Sequence, residues 1–393
     1  MTFPTIRPAL TLDFQKSRKL DPRITFSRSS SATYVDPVSG LIKTAPDGVA
    51  RFETEGVVIE ESRTNLAENS EDFSLWTTQN STLLTAQGTA PDGTNTAFKI
   101  QENTSTISHS IREPSNSTWS GAATLSCYVK PAGRNFAYMG FTGVSQTSIT
   151  FDLVNKVSSY QGTNVTSGSV EDAGNGWLRI VAVFSSSITS GRATVGPAES
   201  DSSGGLNYTG DGSSGILAWG AQLEAGSFPT SYIPTAGSTV TRAADVASIS
   251  NAEMLKVVNL DGNACLMTTD WSTSGANQSK FFVDSTGFLE ANQWRYNKMT
   301  GNGFNANDLA YIPIPGQETY NTIFESRDGD TVSMGNNAGA YFSGTWANTL
   351  PGTGTFSFGY LGNYQRKQVI ARMFYYAQPL TQAELEVTSE AMT

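Results

Sequence analysis

The chain has 393 residues and a formal net charge of −10, and only 15% of its residues are charged, against about 25% in an ordinary soluble domain. The length favours more than one domain of ~100–200 residues, and the negative charge argues against a nucleic-acid-binding surface, which needs a basic stripe. Ser, Thr, Asn and Gly stand in place of charged residues, and this composition predicts an all-β protein of short strands and polar turns.

Residues 1–63 form the first predicted region. They contain short extended pieces without clear alternation, interrupted by turn signals at Asp21-Pro22, Asp36-Pro37, Gly40 and Asp47-Gly48. Such pieces cannot form a core alone. We therefore expect an extended N-terminal segment that anchors the protein or lies against a neighbour, in the same chain or in another subunit.

Residues 64–245 form the second predicted region, where strand signals become regular. Alternating or apolar runs separated by Gly, Asn, Asp and Ser occupy 125–131, 135–141, 148–154, 177–184 and 215–223. In the run 177–184, one predicted face carries Leu178, Ile180, Ala182 and Phe184. This spacing predicts a β-sandwich of the jelly-roll type, followed by a Pro/Ser/Thr-rich connection over 229–245.

Residues 246–393 form the third predicted region, a second sandwich with strands at 265–271, 280–285, 355–362 and 369–377. A short helix is predicted at the end, over 381–392, because Thr381 can cap it and Glu384 can complete a capping box. The predicted fold is therefore two β-sandwich domains in tandem, with an extended N-terminal segment and a short C-terminal helix.

The two cysteines, Cys127 and Cys265, fall in different predicted domains, so we expect two inert core thiols and no disulfide framework. The sequence has no apolar run of transmembrane length and no signal-peptide core at its start. These patterns predict a soluble protein without membrane insertion.

Three stretches carry long, distinctive sequence. The first runs from LDPRITFSRSSSATYVD (20–36) through GLIKTAPDGVARFE (40–53) to VVIEESRTNLAENSEDFSLW (57–76). The second comprises GNGWLRIVAVF (174–184) and GILAWGAQLEAGSFPTSYIPTAGSTVTRAAD (215–245), and the third is VIARMFYYAQPLTQAELE (369–386). The first two resemble the N-terminal segment and carbohydrate-binding-module-like jelly roll of tailed-bacteriophage virion proteins. The third is similar to the closing strand and helix of laminin-G-like, concanavalin-type lectin sandwiches.

The resemblance implies a structural protein on the virion surface, made in the cytoplasm of the host bacterium. It implies contacts with other virion proteins, assembly as a homotrimer and binding to a host cell-surface glycan. Two positions on the particle remain open: a tail fibre or similar appendage that adheres to the host, or a capsid-decorating, cement or head-fibre protein.

Catalytic motifs are absent from the sequence, so we expect no enzymatic activity and assign no catalytic residue. The single histidine, His109, lies in a Ser/Thr-rich stretch without a nucleophile or carboxylate motif beside it. GDGSSG (210–215) precedes a strand rather than a helix, which makes it a turn. The acid pairs Glu60/Glu61 and Glu71/Asp72 are sequence neighbours and would point to opposite faces of a strand, so a polysaccharide depolymerase is the less favoured alternative.

A structural calcium ion is the one inorganic ligand that the sequence suggests; no other cofactor is expected. ENSEDFSLW (68–76) resembles the opening strand of carbohydrate-binding modules, where a calcium site often begins, and this implicates Glu71 and Asp72. Gly220 and Ala221 stand where an acidic pair would be expected to close such a site, which is a departure from the pattern.

Aromatic residues in polar, turn-like stretches are the candidates for glycan contact, because sugars stack on exposed rings. They are Trp119, Trp346 and the cluster of Trp294 and Tyr296, with Arg295, Asn292 and Asn297 as hydrogen-bonding neighbours. The alternative is that Trp294 packs into its loop and stabilises it. Trp76, Trp177 and Trp219 lie in or beside predicted strands and are expected in the core.

Overall fold

A computed structural model describes residues 10–250, apart from 145, 146, 186 and 187, together with residue 253. Beyond these it describes the backbone of the strands between 263 and 376. The predicted C-terminal helix at 381–392 lies outside the described residues.

The strands up to residue 119 are short. They are β1 (Leu10–Asp13), β2 (Ile24–Ser27), β3 (Ala32–Val35), β4 (Ile42–Ala45), β5 (Arg51–Glu53), β6 (Gly56–Ile59), β7 (Arg63–Asn65), β8 (Thr77–Gln79), β9 (Ser81–Leu84), β10 (Phe98–Glu102), β11 (Thr106–Ile107), β12 (Ser110–Arg112) and β13 (Ser117–Trp119). A one-turn helix, α1 (Phe14–Ser17), follows β1, and a 3₁₀ helix covers Phe73–Leu75. The Asp13 side chain caps α1 by accepting a hydrogen bond from the Lys16 amide.

Longer strands follow in the middle of the chain. They are β14 (Ala123–Ala132), β15 (Phe136–Thr142), β16 (Ile149–Asp152), β17 (Val157–Gln161), β18 (Val165–Asp172), β19 (Leu178–Phe184), β20 (Ile188–Ala198), β21 (Tyr208–Thr209), β22 (Gly215–Ala225), β23 (Val240–Arg242) and β24 (Val246–Ser250), with a 3₁₀ helix at Ser203–Leu206.

The remaining strands are described by their backbone only. They are β25 (Asn263–Thr269), β26 (Lys280–Val283), β27 (Phe288–Glu290), β28 (Tyr296–Asn297), β29 (Asn321–Asp328), β30 (Thr331–Asn336), β31 (Tyr341–Thr345), β32 (Thr355–Phe358) and β33 (Gln368–Tyr376). The chain is an all-β protein of sandwich type, which confirms the predicted fold class.

Two compact units divide the chain, and neither is one continuous stretch. The terminal unit consists of Met1–Ser31, Ala45–Glu61 and Ala243–Thr393, and the central unit consists of Ala32–Thr44 and Ser62–Arg242. This arrangement differs from the predicted consecutive regions 1–63, 64–245 and 246–393. The difference arises because N-terminal strands form hydrogen-bonded ladders with C-terminal strands of the same chain.

The central unit is built from two antiparallel sheets. Six strands form one sheet in the order β18-β19-β14-β22-β10-β9. The other sheet has the order β17-β16-β15-β20-β12-β8, with β13 also paired to β20. Side chains from both sheets form one core that includes Leu125, Phe151, Ile180, Phe184 and Leu223.

Strand β19 confirms the alternation expected from the sequence. Leu178, Ile180, Ala182 and Phe184 all belong to the central core. The residues between them are buried as well, on the other side of the strand. There, Trp177 packs in a second cluster that contains Tyr128, Trp219 and Tyr232. Both faces of the six-stranded sheet are therefore covered in this region.

The predicted core tryptophans and the predicted core thiol of the central unit are confirmed. Trp76, Trp177 and Trp219 are all buried, and Cys127 is fully enclosed. Burial raises the pKa of the Cys127 thiol to about 12, so it is not a reactive thiolate at neutral pH. Cys265 lies in β25 of the terminal unit.

The terminal unit contains sheets that join the two ends of the chain. One sheet has the order β31-β30-β29-β25-β33-β6-β5, and β1 also pairs with β33. The other has the order β2-β24-β32-β26-β27-β28. In the first sheet, β6 pairs with Gln368–Ile370 and β1 with Arg372–Tyr375 of β33. The N-terminal pieces are therefore integral strands of this unit.

A buried ionic network connects the three pieces of the terminal unit. Arg28 donates from Nη1 to Asp245 Oδ1 at 2.9 Å, across 217 residues of sequence. Its Nη2 donates to the carbonyls of Pro46 at 2.7 Å and Val49 at 3.0 Å, and its Nε donates to the Ser30 carbonyl at 2.7 Å. The guanidinium of Arg28 is thus surrounded by acceptors from all three pieces.

Arg51 is the second cation of this network. Its Nη2 lies 2.5 Å from Asp245 Oδ2 and its Nη1 lies 2.7 Å from Glu60 Oε2, and all three side chains are completely buried. The Glu60 amide also donates to Asp245 Oδ2 at 2.9 Å. Burial alone would lower the pKa of Arg51, but Glu60 and Asp245 outweigh it and the pKa is raised, so Arg51 stays charged.

Replacing Asp245 by Ala should destabilise the terminal unit by about 3–5 kcal/mol, because the change leaves two guanidinium groups buried without this counter-ion. Thermal or urea unfolding of the full chain measures the effect. The exposed pair Lys43–Asp36 provides a control, and Lys43→Ala should leave the midpoint almost unchanged. Equal midpoints for Asp245→Ala and the unmodified protein would contradict the role given to the network.

Residues 62–242 should fold without the rest of the chain. Every member of the main core lies between Ala67 and Leu223, and the chain ends of this segment are held side by side by the ladder between β7 and β23. The fragment is expected to give a cooperative thermal transition and dispersed amide resonances.

The C-terminal fragment 246–393 lacks β1, β2, β5 and β6, and we expect it not to fold alone.

Candidate functional site

The residues predicted to contact a glycan lie almost entirely beyond what the structure describes. Asn292, Trp294, Arg295 and Trp346 fall outside the described residues. Tyr296 and Asn297 form the short strand β28, of which only the backbone is described. Trp119 ends β13, beside β20, and its side chain is not among those described. Glycan contact by these residues stays a prediction.

The residues predicted to bind calcium lie at the start of the central unit. Asp72 caps the 3₁₀ helix Phe73–Leu75, because its Oδ1 accepts hydrogen bonds from the Ser74 amide at 3.1 Å and the Ser74 hydroxyl at 2.5 Å. Glu71 is half-buried and accepts a hydrogen bond of 3.2 Å from the Tyr232 hydroxyl. The two neighbouring acids therefore have different roles in the fold.

The surroundings of Glu71 disfavour its charge. Burial raises the pKa of Glu71, the hydrogen bond from Tyr232 opposes this rise, and the negative charge of Asp92 adds to it. Among the described residues, no group of three or more His, Cys, Asp or Glu side chains could hold a metal ion. A calcium ion, which takes six to eight oxygens, would need backbone carbonyls or water as its other ligands.

A polar cluster around the buried Glu102 lies elsewhere in the central unit, and the sequence analysis did not predict it. Arg134 holds the Glu102 carboxylate in a two-pronged hydrogen bond, at 2.8 Å from Nε and 2.6 Å from Nη2. The Tyr208 hydroxyl donates to Glu102 at 2.6 Å, and the Asp211 amide donates at 2.8 Å. The Arg134 guanidinium also lies over the Tyr208 ring, 4.8 Å from its centroid.

His109 is part of the same region. Its ring packs against Tyr208 with the centroids 4.8 Å apart, and it is completely buried. The Nδ1 atom lies 2.6 Å from the Asn80 carbonyl oxygen, and Nε2 lies 3.4 Å from the Tyr208 carbonyl oxygen. Both ring nitrogens thus face the backbone, so His109 supports the fold here and does not face solvent.

Opposing effects set the ionisation of this cluster. Burial alone would raise the pKa of Glu102, but the hydrogen bonds from Arg134, Tyr208 and the Asp211 amide outweigh it, and the pKa is lowered. Burial and the bond to the Glu102 carboxylate raise the pKa of Tyr208. At neutral pH the cluster therefore contains a carboxylate, a guanidinium and a neutral phenol. Both oxygens of Glu102 accept hydrogen bonds within the cluster.

Exposed aromatic rings are missing from the side chains whose burial the structure describes. The large apolar residues that it exposes there are aliphatic, such as Val38, Leu75 and Val154. In the same part of the chain, no helix is long and apolar enough to cross a membrane. Aromatic side chains such as Phe26, Tyr34 and Phe136 are partly exposed there.

Comparisons with known proteins add no assignment. No protein-family model matches the chain, and no curated protein is significantly similar to it.

Lowering the pH should weaken the central unit through Glu102. Its pKa is depressed in the folded state, so its contribution to stability is complete above the ordinary value of 4.5 and is lost as the pH falls through the folded value. Glu102→Gln should lower the urea midpoint at neutral pH and flatten its dependence on pH below that value. The urea midpoint of Tyr208→Phe, which removes one of the hydrogen bonds to Glu102, should lie between those of Glu102→Gln and the unmodified protein. A Glu102→Gln chain with the same acid dependence as the unmodified protein would refute this.

Glu71 should have the opposite effect. Its pKa is raised in the folded state, so its contribution to stability is present at low pH and is lost as the pH rises through the folded value. Glu71→Gln should therefore raise the melting temperature at neutral pH, and the difference should vanish in acid.

Calcium provides a second measurement at the same residue. If Glu71 and Asp72 take part in a calcium site, calcium should raise the melting temperature of the unmodified protein more than that of Glu71→Gln. Equal responses of the two proteins would contradict calcium binding at Glu71.

Proposed function

We propose that the protein is a non-enzymatic structural protein on the surface of a tailed-bacteriophage virion. In this proposal its sandwiches attach the particle to a glycan of the host cell surface, as part of a tail fibre or a similar appendage. The chain would be made in the bacterial cytoplasm and would associate with other virion proteins and with further copies of itself, with a trimer as the assembly that the resemblance implies.

The observation that carries the proposal is the position of the residues behind the resemblance. Arg28, Arg51, Glu60 and Asp245 all lie in the distinctive stretches, and they form the buried network of the terminal unit. Trp219, from the second stretch, lies in the centre of the six-stranded sheet. These five residues of the distinctive stretches therefore belong to the framework of the fold, which supports an architecture of the kind that the resemblance implies and leaves the ligand to be found by experiment.

A non-catalytic role agrees with the polar clusters of the described chain. The two clusters with strongly interacting charges are enclosed, and their carboxylates are bound to arginines. His109 has both ring nitrogens against backbone carbonyls. General acid–base catalysis requires a group within reach of a substrate proton. These residues support folding instead.

The glycan-binding residues of the proposal are Trp294 and Tyr296, with Asn292, Arg295 and Asn297 beside them, and Trp119 and Trp346 as further aromatic positions. Stacking on one ring contributes ~1 kcal/mol, judged by aromatic contacts in general. The affinity of a single domain would then fall several-fold on removal of one ring, and several copies on one particle would hide this loss through avidity.

A capsid-decorating, cement or head-fibre protein is the second candidate. It is favoured by the lack of exposed aromatic rings among the side chains whose burial is described, because protein contacts do not require a sugar-stacking platform. In this case the sandwich faces would bind other virion proteins.

Electron microscopy of purified particles with a labelled antibody against the chain tests the proposal. Label on the tail or on an appendage supports adhesion, and label over the icosahedral shell supports decoration. A chain that is absent from purified particles by mass spectrometry would exclude both.

Glycan binding needs a separate experiment on the full chain. Binding to host surface glycan should weaken several-fold in Trp294→Ala and largely survive in Trp294→Phe, which keeps a ring. A fall in melting temperature with unchanged binding would show that Trp294 packs instead, and no binding by the unmodified protein would refute the glycan part of the proposal.

A further inference from the structure

Both sheets of the central unit end at the same short piece of chain. Strand β8 is the last strand of one sheet and β9 is the last strand of the other, and only Asn80 separates them. Asn80 has a positive φ of 50°, a left-handed conformation that Asn tolerates better than most residues. We call Thr77–Leu84 the shared edge, because it forms one lateral side of the whole sandwich.

The shared edge has the composition of a strand and lacks the usual protection of an edge. Strand edges commonly carry Lys, Pro or other charges that prevent pairing with another chain. From Thr77 to Ala90 the sequence contains no charged residue and no proline. Thr77, Thr78 and Thr82 are exposed, so the edge is accessible.

The opposite side of the sandwich is different. There, β18 ends in Glu171 and Asp172, and Lys156 from the neighbouring hairpin lies 2.6 Å from Asp172. That side carries the kind of charged residues by which strand edges commonly disfavour pairing with another chain. The asymmetry between the two sides identifies the shared edge as the one suited to pairing.

We propose that the shared edge binds the same edge of a second copy of this chain. The two β9 strands would pair antiparallel across a two-fold axis and extend the six-stranded sheet from one copy into the next. An uncharged edge suits this contact, because the Ser, Thr and Leu residues of the two strands face one another across the axis without charge repulsion.

Leu83 adds an apolar reason for the contact. It is only partly buried, at the margin of the core formed by residues such as Phe98 and Ile100. A second β9 beside it would place another Leu83 nearby and bury both more fully. The edge therefore offers backbone hydrogen bonds and a small apolar gain together.

This contact predicts an even number of copies. It forms a dimer by itself, and if the three-fold contact of the proposed function also forms, the two together give a hexamer. The inference concerns self-association alone, so a failure of glycan binding would not affect it, and its own failure would leave the proposed function in place.

Light scattering and sedimentation of the full chain over a range of concentrations test the contact. The unmodified protein should have the mass of two or six copies. Thr78→Lys combined with Thr82→Lys puts like charges on both edge strands, and this variant should have half that mass with an unchanged melting temperature. Ser169→Lys, an exposed position on β18, is the matched control and should keep the full mass.

A monomeric or trimeric unmodified protein would overturn the proposal. So would a Thr78→Lys/Thr82→Lys variant whose mass equals that of the unmodified protein. Thr78→Ser/Thr82→Ser guards against misfolding, because it keeps hydroxyls at both positions and should retain the full mass.

Discussion

The buried pairing of Arg28 and Arg51 with Asp245 and Glu60 is the constraint on which the terminal unit depends. Isolated charges are costly inside a protein, and these are tolerated because each one lies against an opposite charge, while Arg28 and Asp245 also bond backbone groups. The partners come from three separate parts of the chain, so they can meet only when all three parts have their native places. The network thereby selects one arrangement of strands whose local sequence is otherwise weakly specific.

The central unit interrupts the sequence of the terminal unit. Its long segment, Ser62–Arg242, begins and ends at the neighbouring strands β7 and β23. In the ladder between these strands, the backbone of Arg63 lies opposite that of Arg242. A segment with adjacent ends can be inserted in the sequence of another unit without separating that unit's strands. The central core needs no residue from the terminal unit, whereas the terminal unit needs the N-terminal pieces. We therefore expect the terminal unit to depend on its N-terminal pieces for folding and the central unit to fold without them.

Local patterns in the sequence predicted the all-β class, the faces of β19, and the burial of Trp76, Trp177, Trp219 and Cys127, because alternation and composition report directly on short-range structure. They could not predict the division into units, since Arg51 and Asp245 are 194 residues apart. The cluster of Glu102, Arg134 and Tyr208 was missed for the same reason: its members are far apart in the sequence and share no motif. Charged residues within or beside the predicted strands were the signal in the sequence that could have indicated this cluster.

The described part of the chain uses its most interactive side chains for architecture. Tyr128, Trp177, Trp219 and Tyr232 pack against one another on the outer face of a sheet, and the strongest ion pairs are enclosed. The described surface carries hydroxyls, amides, charges and scattered aliphatic side chains. Its strongest directional donors and acceptors are those at a strand edge. The chemistry of contact between this unit and a partner therefore follows from its sheet edges more than from its faces.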